Sequence, residues 1–191
     1  ALLVTGRSLS HTEARRRACR EDGVRVASMP GLTLEMLARL FPAGSAENAA
    51  SATQRAVNLL EGVSQVRVRA EAGTDITFSL HGRKIYQDNG LYREPGRFGN
   101  LPAGEVCASP LESSAEGRIV VDVAFAGLGS VNGLELTVSG GYLAAARGSR
   151  AAEVLALLDG PAERVLAEFG IGTNALARTG PLTLEAEKAC G

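Results

Sequence analysis

The chain opens on a short apolar run, Ala1–Val4, closed at Gly6, which is the pattern of a buried strand. Ser10, with Glu13 three residues on, predicts a capping box that starts a helix over 11–22. Gly23 ends that helix ahead of a second apolar stretch, Val24–Ala27. Strand, helix and strand joined by short connections predict a βαβ unit with parallel strands. Thr33 is placed to cap a helix over 34–40, with Pro42 just beyond its end. Ser45 opens a longer alanine-rich helix to about Leu60, stopped by Gly62. From Gln65 the rhythm changes to period two. Gln65–Arg69 and Ile76–Leu80 alternate polar and apolar around a turn at 72–75, predicting a hairpin over 65–80. Residues 81–104 are glycine-rich and aperiodic, and predict one long loop of the kind that carries function. Strands are predicted over 118–124, 134–138 and 142–146, helices over 150–158 and on to Glu168, and helical structure again over 185–190. The expected fold class is α+β. A remnant of an N-terminal α/β domain with its connecting helix covers 1–62, and an α+β domain with a mostly antiparallel sheet covers 63–191.

Composition narrows the function classes. The 191 residues are 45% apolar and 21% charged with a formal net charge of −1, so no nucleic-acid or acidic-membrane partner is expected. No apolar run approaches the roughly 20 residues that a membrane span needs. Three cysteines, Cys19, Cys107 and Cys190, are widely separated and form no CxxC pair, which points to a reducing, cytoplasmic setting. Only two histidines occur, His11 and His81, both expected as surface or capping residues, so no three-histidine site is contained here. Gly6 is followed by no phosphate-binding glycine motif, which argues against nucleotide binding. The chain begins at Ala1 without an initiator Met and stops just after a helix-like stretch, and it reads as the middle of a longer protein.

Two carboxylates stand out. Glu105 follows a Pro-Ala-Gly turn at the end of the long loop, where a side chain projects as a ligand or acid–base group, or simply as a surface turn residue. Glu168 closes the predicted helix before Gly170 and Gly172. A carboxylate is disfavoured at a helix C-terminus, and a nearby cation would offset that cost. Glu112 and Glu116 read as structural, and Cys107 as a packing residue. Arg93 and Glu94, in the long loop, are candidates for the substrate side of a cleft.

The segments Asp75–Phe78, Tyr92–Gly96, Asn100–Pro110, Ser114–Gly117 and Glu168–Asn174 together resemble the thermophilic-type metallo-aminopeptidases, those similar to aminopeptidase T and aminopeptidase S. The resemblance implies two divalent ions of the Zn or Co type, with Glu105 and Glu168 among their ligands. It implies a metal-activated water that removes N-terminal residues from peptides, and a homodimer. Glu187–Gly191 resembles the segment just before the first histidine ligand, so the remaining histidine and aspartate ligands are expected beyond Gly191, and these 191 residues alone are expected to be inactive. Dihydroxypyridine dioxygenases, mononuclear iron enzymes that cleave a ring, look similar over the Ser-Ala-Glu-Gly region. That branch lacks the first glutamate and carries histidine for the second, whereas both glutamates stand here. A non-catalytic relative is the third reading.

Overall fold

Thr33 and Thr12 show how local chemistry sets the helices. Thr33 Oγ1 accepts from Met36 N and caps Leu34–Leu40. Thr12 Oγ1 accepts from Arg15 N and caps Glu13–Arg20. Ser10, the expected cap, is instead buried, and its hydroxyl donates to Ser28 Oγ at 3.0 Å. Its oxygen accepts from the Ser8 hydroxyl at 2.9 Å, and the helix, capped by Thr12, starts later than the capping-box pattern predicts. The long helix runs Ser45–Leu60, and Gly62 follows with φ +78°.

The computed structural model describes residues 1–180 and 182–190. Among them are five helices and thirteen strands in mostly antiparallel sheets, a mixed α and β architecture consistent with α+β. The chain forms two compact units, each built from discontinuous segments. The first takes Ala1–Asn58, Tyr86–Val106 and Ile171–Gly191; the second takes Leu59–Ile85 and Cys107–Gly170.

In the first unit, Leu2–Leu3 pairs parallel with Val26–Ser28, as the βαβ pattern predicts. Val26–Ser28 also pairs parallel with Phe98–Asn100, which lies inside the expected long loop. That loop holds a second short strand, Tyr86–Asp88. Three-residue strands are too short to show a period of two, so the sequence pattern misses both. Met36, Leu40 and Leu184 form this unit's buried apolar cluster, joined by Leu32, Phe41 and Ala177. Arg39 reinforces it, reaching Glu185 at 2.8 Å and Glu35 at 2.6 Å.

The second unit is built on a five-stranded antiparallel sheet in the order Tyr142–Gly148, Leu134–Ser139, Glu116–Val121, Asp75–Ser79, Gln65–Arg69. The predicted hairpin pairs Val66 with Phe78 and Val68 with Ile76. Leu134, Leu136 and Val138 alternate onto one buried face. Leu134, Leu136, Val131, Leu143 and Val154 make one core cluster; Ile76, Phe78, Leu80, Ala108, Ala115 and Val138 make another. The helix Ala151–Leu157 is present, but the second helix expected up to Glu168 is not. There Leu143 N donates to Arg164 O and Leu166 N to Gly141 O, so the backbone is spent on cross-strand bonds. Glu168 therefore precedes the strand Phe169–Gly172 and closes no helix. Among the described residues after 180, only Thr183–Ala186 is helical, against the expected 185–190.

Leu134 is fully buried. Leu134→Ala should cost about 2–5 kcal/mol through lost burial and the cavity left behind. Urea unfolding followed by far-UV circular dichroism measures this, and a loss under about 1 kcal/mol would show that the cluster is not a packed core.

Candidate functional site

Glu105 owes its position to backbone stitching within the first unit. Thr173 N donates to Gly104 O at 2.8 Å, and the Asn174 side-chain amide donates to Ala103 O at 2.8 Å. Asn174 N in turn donates to Lys188 O at 2.9 Å. Gly104 sits at φ +115°, and a Cβ there would lie 2.7 Å from Asn174 Cβ, so only glycine permits the approach. These bonds bring residue 188 beside residue 105, although 83 positions separate them in sequence.

Lys188 is completely buried. Its ammonium donates to Glu105 Oε2 at 2.5 Å and to Glu187 Oε1 at 2.8 Å, and lies 3.8 Å from Asp88 Oδ2. Asp88 is held separately: Asn100 N donates to its Oδ2 at 3.0 Å and the Tyr92 hydroxyl to its Oδ1 at 2.9 Å. That hydroxyl also touches Asn100 O, so its single proton is shared between two acceptors. A Cβ on Gly99 would come within 2.5 Å of Asp88 Oδ1 and 2.7 Å of the Tyr92 hydroxyl, so a larger residue there would push both side chains out of place.

Burial and charge act in opposite directions in this cluster. Burial is the larger influence on Asp88 and pushes its carboxyl up, against the pull of Lys188. Burial, then the Asp88 charge, drives the Tyr92 hydroxyl far above the usual phenol range, so it stays a donor. For Lys188, burial works to lower the pKa, but attraction and hydrogen bonds from Glu105 and Glu187 prevail and raise it. The result is an ammonium held in its charged form by an acidic cage.

Of the residues singled out in the sequence, Glu105 lies in this cage. Arg93 and Glu94 are exposed on the surface, and it is their neighbour Tyr92 that turns inward. Asp88, Tyr92, Glu187 and Lys188 were not anticipated. The available signals were that Lys188 is one of only two lysines, and that Tyr92 belongs to the Tyr-Arg-Glu-Pro-Gly motif. Glu168 belongs to the second unit, where it is exposed at the rim of an apolar cavity of about 220 Å³. Among the described residues, no group of three His, Cys, Asp or Glu is arranged to hold a metal ion. Around Glu105, Lys188 itself supplies the cation.

Removing one partner of a buried ion cluster leaves uncompensated charge. Lys188→Met should therefore cost about 3–5 kcal/mol at neutral pH. The folded-state pKa of Lys188 is raised above its ordinary 10.5, so its contribution is complete below that value and is lost as pH climbs through the raised one. Chemical unfolding from about pH 8 to about pH 12 should show a steeper alkaline loss of stability than in the Lys188→Met protein, whose remaining loss comes from groups such as Tyr92. Parallel profiles for the two proteins would contradict the assignment.

Residues 1–189 match the family described as 2,5-dihydroxypyridine 5,6-dioxygenase (NicX). A curated 2,5-dihydroxypyridine 5,6-dioxygenase of Pseudomonas putida KT2440 is 34% identical over 89 residues, which is 47% of this chain and 25% of that protein. Two solved structures share the fold. The 2,5-dihydroxypyridine dioxygenase of P. putida KT2440 has a TM-score of 0.78 at 23% identity, over 99% of this chain and 58% of that one. AmpT of Thermus thermophilus has a TM-score of 0.61 at 21% identity, over 86% of this chain and 49% of that one. This chain thus spans a little over half the length of the solved dioxygenase it matches. The likeness to AmpT supports an aminopeptidase-like fold and no more. The family match overturns the expected aminopeptidase activity, and with it the hydrolase class and the peptide substrate. The expected pair of zinc or cobalt ions falls too, since dihydroxypyridine dioxygenases are of the mononuclear iron type. The chain belongs to the 2,5-dihydroxypyridine 5,6-dioxygenase family.

Proposed function

We propose that this chain is part of an oxidoreductase that opens the ring of a dihydroxypyridine with molecular oxygen. The observation that carries the reading is the family match, which runs through both units from residue 1 to residue 189. In such a reaction both oxygen atoms enter the product and one ring carbon–carbon bond breaks. The substrate itself supplies the electrons, so no separate reductant is needed.

The described residues do not fit an iron centre. His11 and His81 are both exposed and belong to different units. The carboxylates of Glu105 and Glu187 close on the Lys188 ammonium, which fills the position a cation would take. What they provide is a rigid polar frame. Tyr92 keeps its proton, Lys188 keeps its charge, and Glu105 is held in place at the start of the strand Glu105–Ala108.

The test uses the full-length protein supplied with ferrous iron. With 2,5-dihydroxypyridine, oxygen uptake and loss of the ring's ultraviolet absorbance should proceed together in equal amounts, while aminoacyl-anilides release nothing. Oxygen uptake no greater than in the enzyme-free iron control would reject the dioxygenase reading.

A further inference from the structure

The cluster around Lys188 has the layout of a hard-cation site, with an ammonium where the ion would stand. Three carboxylate oxygens converge on Lys188 Nζ: Glu105 Oε2 at 2.5 Å, Glu187 Oε1 at 2.8 Å and Asp88 Oδ2 at 3.8 Å. Calcium takes carboxylate oxygens at about 2.3–2.6 Å, so the Glu105 distance is already one that an ion accepts. Glu187 is a few tenths of an ångström further out, and Asp88 stands at a distance that a bound water spans. The three acids come from separate stretches of the first unit. Asp88 ends the strand Tyr86–Asp88, Glu105 opens the strand Glu105–Ala108, and Glu187 follows the helix Thr183–Ala186. Asp88 and Glu105 are fixed from behind, by Asn100 N and Tyr92 on the first and by the stitched backbone before the second.

The ammonium is the second observation. Complete burial of a lysine is costly, and Lys188 is shown buried with its charge at the point where the carboxylates meet. A tethered ammonium differs from an ion in three ways. It carries one charge rather than two, it donates three hydrogen bonds without offering an open coordination position, and no chelator removes it. We propose that Lys188 is a resident cation that keeps divalent ions off Glu105, and that removing its side chain uncovers a site for one hard, oxygen-seeking divalent cation. Glu105, Glu187 and Asp88 would hold that ion, with water filling the space left by the lysine stem. The inference is independent of the ring-opening reading, since neither a ring nor oxygen enters it.

The test counts ions and leaves turnover aside. Full-length protein is stripped with a chelator and equilibrated with Ca²⁺ alone, and bound calcium per chain is measured by equilibrium dialysis. Calcium is the probe because it favours carboxylate and water ligands over imidazole. In the otherwise unaltered protein, Glu105→Gln should leave the calcium count at the wild-type value. Lys188→Ala should gain one Ca²⁺ per chain, and its thermal melt should rise as Ca²⁺ is added. Glu105→Gln placed on top of Lys188→Ala should weaken that extra site by about tenfold or more, because it removes the nearest charged ligand. Calcium lost from the otherwise unaltered protein on Glu105→Gln shows an ion already seated there and overturns the inference. A folded Lys188→Ala protein that binds no more calcium than wild type overturns it equally, as does an extra ion indifferent to Glu105→Gln. Where Lys188→Ala is unfolded without metal, refolding on addition of Ca²⁺, followed by circular dichroism, supports the inference, and failure to refold overturns it. No outcome here bears on oxygen uptake, so the proposed function stands or falls by its own assay.

Discussion

A buried ammonium ion cannot be left alone. Lys188 is wholly shielded from water, and its desolvation cost must be met by charges at hydrogen-bonding distance. Glu105 and Glu187 meet it directly, and Asp88 stands just outside. That requirement explains why the backbone around residues 103–105, 173–174 and 188–189 is bonded segment to segment, and why glycine stands at positions 99 and 104. A buried ion cluster of this kind contributes little net stability over an apolar replacement. Its effect is to specify one arrangement of chain segments far apart in sequence, since any slip would strand a charge.

The same cluster changes the meaning of the motif that includes it. Asn100–Pro110 resembles a metal-binding stretch, and an isolated carboxylate after a tight turn has the right chemistry for one. With Lys188 in place the carboxylate already has its cation. The AmpT structure and the P. putida dioxygenase structure share this fold at identities below a quarter, so the fold alone does not choose between hydrolysis and ring opening. The family match places the chain in the 2,5-dihydroxypyridine 5,6-dioxygenase family.

Elements with a strong local signal were legible in the sequence. Leu34–Leu40 and Ser45–Leu60 have the boundaries that Thr33, Ser45 and Gly62 predict, and the hairpin of Gln65–Arg69 with Asp75–Ser79 follows its period of two. The failures share one cause. Phe98–Asn100 and Tyr86–Asp88 are strands because of their partners, and no local pattern marks them. Residues 161–168 looked helical by composition, but their backbone groups are taken up by residues 141 and 143. Ser10 has the chemistry of a cap, but its hydroxyl is held between Ser8 and Ser28, and Thr12 caps the helix.

By itself, then, the sequence determined the local elements, the alternation of chain character near residue 62, and the two glutamates worth following. Periodicity, caps and turn residues act over a few positions and need no partner. Only the tertiary structure decided what those glutamates face. Glu105 is paired with an ammonium 83 residues away, and Glu168 stands exposed beside an apolar hollow, paired with no described residue. The reason is that burial and charge pairing depend on which distant segments meet, and a linear reading carries no term for that.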